Sequence, residues 1–268
     1  MAQRNCLLIG ARGFLGSHIA WLLRDIDIDV IGTTRKLTDS DPSAWIQYTF
    51  PNESIQDRAG GGRFDFVIIA AKLAHANIEA KTASGSETLP FDRLFSHLGP
   101  STRLGVTYLS SDAVFSGARG GYVETDPPDA SEAYGSMQAI AERSLSTHLP
   151  HHLIVRPSFL FDVGDFRRDR RLSQMHKALT ARTTFFGDTN VYKSPVRVAE
   201  AARLVVERTL AGQTGVVHVP GKRQSVHEFF EGAIEPLGLT KFRQYLVART
   251  NKNPSDTSLR SMFENVPA

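Results

Sequence analysis

Gly10-Ala11-Arg12-Gly13-Phe14-Leu15-Gly16 follows directly on the apolar run Cys6-Leu7-Leu8-Ile9 and leads into a helical stretch over residues 17–25. A short unbroken apolar run is the mark of a strand buried on both faces. In the helical stretch, Ile19, Leu22 and Leu23 share one face. Glycines at intervals of three therefore sit between a strand and a helix. The first permits a tight turn, the second lets backbone approach a pyrophosphate, and the third lets the helix pack on the strand. The helix N-terminus then offers amides and a positive dipole end to phosphate. Gly10, Arg12, Gly13, Phe14, Leu15 and Gly16 are read as a dinucleotide-binding turn. A βα turn without a ligand is the plainer reading of such glycines. Their place after the first strand favours the cofactor, although the spacing differs from the commoner Gly-x-Gly-x-x-Gly.

Residues 29–33, 64–71, 104–110 and 152–156 read as further strands, separated by helical stretches. That alternation predicts an α/β fold, a Rossmann-type doubly wound parallel sheet with helices on both faces. Gly85, Pro90, Gly99 and Pro100 interrupt residues 72–100, so the helix expected there is short or split. After Phe159 the pattern changes, with helices expected at 198–211 and 226–237 and a strand at 215–219. The division expected is 1–158 for the dinucleotide-binding domain and 159–268 for a smaller substrate-binding cap, some segments of which return to the sheet. The polar stretch from Asn251 onward is expected to be loosely held.

Composition narrows the function classes. The chain has 268 residues, 41% hydrophobic and 22% charged, enough for a sizeable core and unlike a disordered chain. No apolar run reaches the length of a transmembrane helix, and the opening residues lack a signal-peptide pattern, so no membrane partner is expected. The lone Cys6 excludes an internal disulfide and suggests a reducing, cytoplasmic setting, with Cys6 itself an inert core thiol. A net charge of +3 is too weak a field for a nucleic-acid binder and suits a small anionic ligand better. His148, His151 and His152 have no metal-ligand spacing, so no metal site is expected. There is no Gly-x-Ser-x-Gly elbow, which argues against a hydrolase.

The end of the second strand selects the cofactor. A carboxylate there hydrogen-bonds the ribose 2′-hydroxyl of NAD and repels a 2′-phosphate. This chain reads Gly32-Thr33-Thr34-Arg35-Lys36, with no acid until Asp39. Arg35 and Arg12 are candidates for a phosphate clamp, the alternative being two solvated arginines. NADP(H) is therefore expected, with NAD(H) second. Thr34, Ala70 and Ala71, at strand ends, complete the expected cofactor contacts.

The glycine turn, Ser110-Ser111-Asp112-Ala113-Val114-Phe115-Ser116-Gly117, Tyr122-x-Glu124-x-Asp126 and Tyr134-Gly135 together resemble the extended short-chain dehydrogenase/reductase family, in its dTDP-4-dehydrorhamnose reductase-like branch. The resemblance covers about residues 5–240. It implies reduction of a 4-keto sugar carried on a nucleotide, with Tyr134 donating a proton and Ser111 hydrogen-bonding the carbonyl oxygen. It also implies a lysine four residues after the tyrosine, which binds ribose and lowers the tyrosine pKa. Gln138 stands there instead and brings no charge. Lys72, just past a strand end, is a candidate to supply that charge, the alternative being a solvated lysine at a helix start. Asp112, Glu124, Arg156 and Arg197 are the residues the resemblance places near substrate. Asp112 has a turn-capping role as its alternative, and Glu124 and Asp126 have a solvated loop. The run Arg167-Arg168-Asp169-Arg170-Arg171 is a candidate for a diphosphate, or else a solvated face. The resemblance leaves a homodimer open. A second reading is a non-catalytic or regulatory protein that binds cofactor or nucleotide sugar.

Overall fold

The computed structural model describes residues 4–73 and 90–263. In chain order its strands are β1 (Asn5–Ile9), β2 (Asp29–Thr34), β3 (Ile46–Gln47), β4 (Phe64–Ile69), β5 (Thr102–Leu109), β6 (His152–Pro157), β7 (Leu160–Phe161), β8 (Phe185–Asp188), β9 (Val191–Lys193), β10 (Val196–Arg197), β11 (Gly215–Val219), β12 (Gln224–Ser225), β13 (Leu246–Arg249) and β14 (Ser255–Asp256). Seven of them form one parallel sheet in the order β11-β6-β5-β4-β1-β2-β3. The order reverses between β1 and β4, and a ligand crevice opens at such a switch point beyond the strand C-termini.

The apolar runs are buried on both faces. Cys6, Leu8, Phe66, Ile68 and Val155 belong to one core cluster, whereas Leu7, Ile9, Val67, Ile69 and Ile154 belong to the other. Alternate side chains of one strand thus serve opposite layers. Each fully buried Leu or Ile contributes about 1.5–3 kcal/mol relative to exposure. Burial pushes the Cys6 thiol up to about 12, which keeps it protonated and unreactive.

The first helix spans Phe14–Asp25, three residues earlier than the apolar periodicity alone gives, with Gly13 as its N-cap. Its Leu15, Ile19 and Leu23 lie in the core beside helix Val198–Leu210. On the opposite sheet face lie helices Pro90–Ser101 and Ala133–His148. Part of the irregular stretch, residues 74–89, lies outside the described residues.

Residues beyond Pro157 build a smaller layer around helices Arg170–Thr180 and Val226–Ile234. Leu172, Met175, Leu179, Phe229, Phe230 and Ile234 form its own core. Two segments return to the large unit, β11 at the sheet edge and helix Val198–Leu210 against the first helix. The C-terminal stretch corrects an expectation. Instead of lying loose, β14 pairs with β9, Leu259 bridges to Tyr122, and Thr257, Ser258 and Leu259 are buried. Backbone pairing across this distance in sequence outweighs the polar composition. Among the described residues, no helix is long and apolar enough to cross a membrane.

Candidate functional site

A cleft of about 830 Å³ lies at the C-terminal ends of β1, β2 and β4, at the switch point. The glycine turn forms its floor. Gly10 has φ +89°, a left-handed conformation, and a Cβ on it would come within 2.7 Å of the Ala71 nitrogen. A Cβ on Gly16 would lie 2.2 Å from the Gly10 carbonyl oxygen. Gly13 caps the helix without a side-chain hydrogen bond, so the first-turn amides have no such competitor for an anion. Thr33 steadies the turn from β2: its hydroxyl accepts from the Gly10 amide at 3.1 Å and its carbonyl from the Ala11 amide at 3.0 Å. Phe14, Thr34, Arg35, Ala70 and Ala71 line the cleft. Leu15 is instead buried in the core beneath it.

The cation corner differs from its sequence reading. Arg35 and Lys36 are exposed at one end of the cleft. Arg12 also lines the cleft and is exposed, but its guanidinium is engaged by the protein, pairing with Asp41 and donating to the Thr38 hydroxyl at 3.0 Å. The Arg12 guanidinium, with help from the Thr38 amide, holds the Asp41 carboxyl below its ordinary range. An acid, Asp41, therefore does stand beside this corner, although the sequence carries none between the end of β2 and Asp39.

At the other end of the cleft, Lys72 places its ammonium 4.4 Å from the centre of the Tyr134 ring. Tyr134 opens helix Ala133–His148. Gly135 next to it packs against the turn that holds Ser111, where a Cβ would fall 1.9 Å from the Ala113 carbonyl oxygen. Gln138, one helical turn on, donates from its amide nitrogen to the Tyr134 oxygen at 2.9 Å. Burial raises the Tyr134 pKa above its ordinary value. The hydrogen bond from Gln138 pulls it down, the Asp112 charge raises it, and the Ser111 hydroxyl lowers it. The structure thus brings Tyr134, Ser111, Gln138 and Lys72 together. The lysine charge lies over the ring face and is not placed at the hydroxyl.

Four other candidates turn out to be occupied with the protein itself or turned outward. Asp112 is buried. One of its oxygens accepts from Ser111 at 3.1 Å, and the other from Ser158, Lys193 and Thr257 at 3.0, 3.1 and 3.1 Å. It ties the turn to the segments on either side of it. Glu124 accepts from Ser261, the His218 amide and the Met262 amide at 2.7, 3.0 and 2.9 Å, holding the C-terminal stretch in place. Arg156, only 3% exposed, grips both oxygens of Glu142 at 2.9 and 2.6 Å. Its fork is used inside the protein and is not presented to the cleft. Arg197 is exposed beside Glu200, with Nε 4.0 Å from the carboxylate.

The arginine run separates residue by residue. Arg168 reaches across to donate to the carbonyls of Arg12 and Gly13 at 3.1 and 3.4 Å. Asp169 caps helix Arg170–Thr180 through the Arg171 and Leu172 amides. Arg171 lies 3.6 Å over the Phe159 ring and donates to the Leu160 carbonyl. Burial lowers its pKa, while the charges of Asp169 and Asp112 raise it. Arg167 and Arg170 are exposed.

Sequence reading missed Tyr108, Glu142, Asp41 and Lys193. Glu142 carried a usable signal, because Tyr134, Gln138 and Glu142 recur every four residues along one face of a buried helix. Tyr108 in β5 and Ser110 just past its end carried another, since their two-residue spacing points both to the side that meets those residues.

The sequence profile of the RmlD substrate binding domain matches residues 4–261. No curated protein sequence gives a significant match. Among solved structures, a hypothetical dTDP-4-dehydrorhamnose reductase from Sulfolobus tokodaii is 22% identical, with 98% of this chain and 97% of that one covered and a TM-score of 0.74. A dTDP-4-dehydrorhamnose reductase from Bacillus anthracis in complex with NADP is 18% identical, covering 99% and 95%, with a TM-score of 0.76. MoeE5 in complex with UDP-glucose and NAD is 20% identical, covering 98% and 90%, with a TM-score of 0.77. These identities speak to the Rossmann-type fold. The profile match spans nearly the whole chain, and with it the chain belongs to the RmlD substrate binding domain family.

Proposed function

We propose that this chain binds NADP(H) and reduces a carbonyl group on a nucleotide-linked sugar. The observation that carries this reading is the run of the cleft. It extends from Arg35 and Lys36, over the glycine turn, to Lys72, whose ammonium meets the Tyr134 ring. A dinucleotide laid along it has its phosphates on the first-turn amides and its adenosine end at the arginines. Gly10 and Gly16 let the turn pack closely on Ala71 and on its own backbone, and so shape the floor on which the dinucleotide would lie. The bound cofactor supplies a hydride, and the protein supplies the proton and the position of the acceptor. Tyr134 is the proton donor, with Ser111 beside it to align the carbonyl oxygen. Relatives in complex with NADP, or with a UDP-sugar and NAD, support both ligand classes.

The second reading, a binding protein without turnover, draws support from one observation. Gln138 carries no charge, and the Tyr134 pKa lies above its ordinary value. Fluorescence titration with NADPH and NADH, followed by NADPH oxidation assays on nucleotide-linked 4-keto sugars, separates the two. Tighter NADPH binding and turnover of at least one sugar are expected. Arg35→Ala is expected to weaken NADPH about 10- to 100-fold, the worth of one charge-assisted hydrogen bond, with little effect on NADH. Tighter binding of NADH by the unaltered protein would overturn the 2′-phosphate assignment.

A further inference from the structure

Helix Ala133–His148 faces the end of β5 and the residue just past it through matched polar side chains, Gln138 opposite Tyr108 and Glu142 opposite Ser110. We propose that Tyr108 and Gln138 form an uncharged relay that holds and polarises the Tyr134 oxygen, in the place where a lysine would otherwise act. The proposal rests on the reading of Tyr134 as proton donor.

The direction of the relay follows from what each group can donate. Gln138 is 2% exposed, and Tyr108 is fully buried. The Tyr108 hydroxyl donates to the Gln138 amide oxygen, which can only accept. That leaves the amide nitrogen, which can only donate, directed at the Tyr134 oxygen at 2.9 Å. Tyr134 therefore accepts within the relay, and its own proton remains free for a substrate oxygen. On reduction, a bound reduced nicotinamide would supply the hydride for the new C–H bond, and the carbonyl π pair would move to oxygen. The Tyr134 O–H bond breaks and its proton completes the alcohol. The negative charge left on Tyr134 strengthens the bond from Gln138. That shift in turn strengthens the bond from Tyr108 to the amide oxygen, because linked hydrogen bonds polarise one another.

The charged neighbours fit this role. Lys72 faces the Tyr134 ring from the end of β4, Asp112 raises the Tyr134 pKa from the turn after β5, and Glu142 lies behind Tyr108. Burial and Asp112 oppose ionisation of Tyr134, and the hydrogen bonds from Gln138 and Ser111 favour it. Tyr108 makes no cleft contact and acts through Gln138, so it is a positioning residue.

The test is Tyr108→Phe in the full chain. The alkaline titration of Tyr134, isolated as the difference in tyrosinate absorbance between the parent protein and Tyr134→Phe, is expected to move upward. In the same variant kcat should fall about tenfold, the weight of one hydrogen bond, with KM unchanged. If Tyr108→Phe does not fold, Gln138→Met removes the donor to Tyr134 directly and is expected to shift the titration further. An unmoved Tyr134 titration in whichever variant folds overturns the relay. So does a shift in Lys72→Met larger than in either, which would assign the role to the ammonium. Absence of turnover in the parent protein would defeat the reductase reading alone, since the titration still reports on the relay.

Discussion

Replacing Arg156 with methionine is expected to cost about 3–5 kcal/mol of folding stability and to leave the cofactor affinity of the folded protein unchanged. Arg156 sits in a buried set of charges. Its Nε and Nη2 donate to the two oxygens of Glu142, Ser110 donates to the same carboxylate, and Nη1 lies 3.3 Å from His218 Nε2. Methionine fills much of the space but leaves the Glu142 charge unpaired in the interior. The double replacement Arg156→Met with Glu142→Leu removes both charges and should recover most of the loss. Denaturant melts of the two single variants and the double variant give this coupling directly. The opposite pattern, parental stability with weakened sugar-nucleotide binding, would return Arg156 to the substrate. The same cluster sets an acid limit. Burial holds the His218 pKa below 6.5, with Glu124 opposing that shift and Arg156 adding to it. Its neutral ring donates from Nδ1 to the carbonyls of Tyr122 and Arg260. With a depressed folded pKa, this stability is present above about 6.5 and is lost as pH falls below it, a slope that melts at successive pH values should show.

The buried pairing of Arg156 with Glu142 shows which parts of this chain are legible from sequence. Apolar runs and glycines act locally, so the strands, the turn and the sheet class could be read within windows of a few residues. Tyr134, Ser111 and Gln138 were singled out only by the family resemblance, since nothing in their local pattern marks them as a site. Arg156 closes a strand, and a strand end suggests a site. Strand parity says otherwise: Ile154 and Arg156 share a face, and Ile154 packs in the layer that holds Tyr108 and Leu145. That face meets helix Ala133–His148, where Glu142 waits. Glu124 and the C-terminal stretch were beyond any local window. Their bonds join residues 137 and 138 positions apart, and such pairings follow from the completed topology. Asp41 was missed for a related reason. The loop after β2 folds back so that an acid beyond the inspected strand end reaches Arg12.

Tyr134→Phe is expected to lower sugar reduction about 10²- to 10⁴-fold while changing NADPH affinity little. Phenylalanine keeps the ring that lies under Lys72 and loses only the hydroxyl, which faces Gln138 and Ser111. Binding contacts on the glycine turn are untouched, so the loss should fall on kcat. The pH dependence gives a second, independent sign. With Tyr134 as the proposed proton donor, reduction would need it protonated, and burial raises its pKa above the ordinary tyrosine value of 10.0. The reduction rate should therefore stay level through neutral pH and decline only at strongly alkaline pH. Oxidation of the corresponding alcohol needs the deprotonated oxygen, so it should be slow at neutral pH and climb as the solution is made alkaline. Both limbs should vanish together in Tyr134→Phe. A parent protein that binds NADPH and the sugar nucleotide tightly, yet shows no turnover or pH-dependent rate in either direction, would have the ligand site without the proton chemistry. In that case Gln138→Lys, which restores a charge one turn from Tyr134, is the variant expected to bring turnover back.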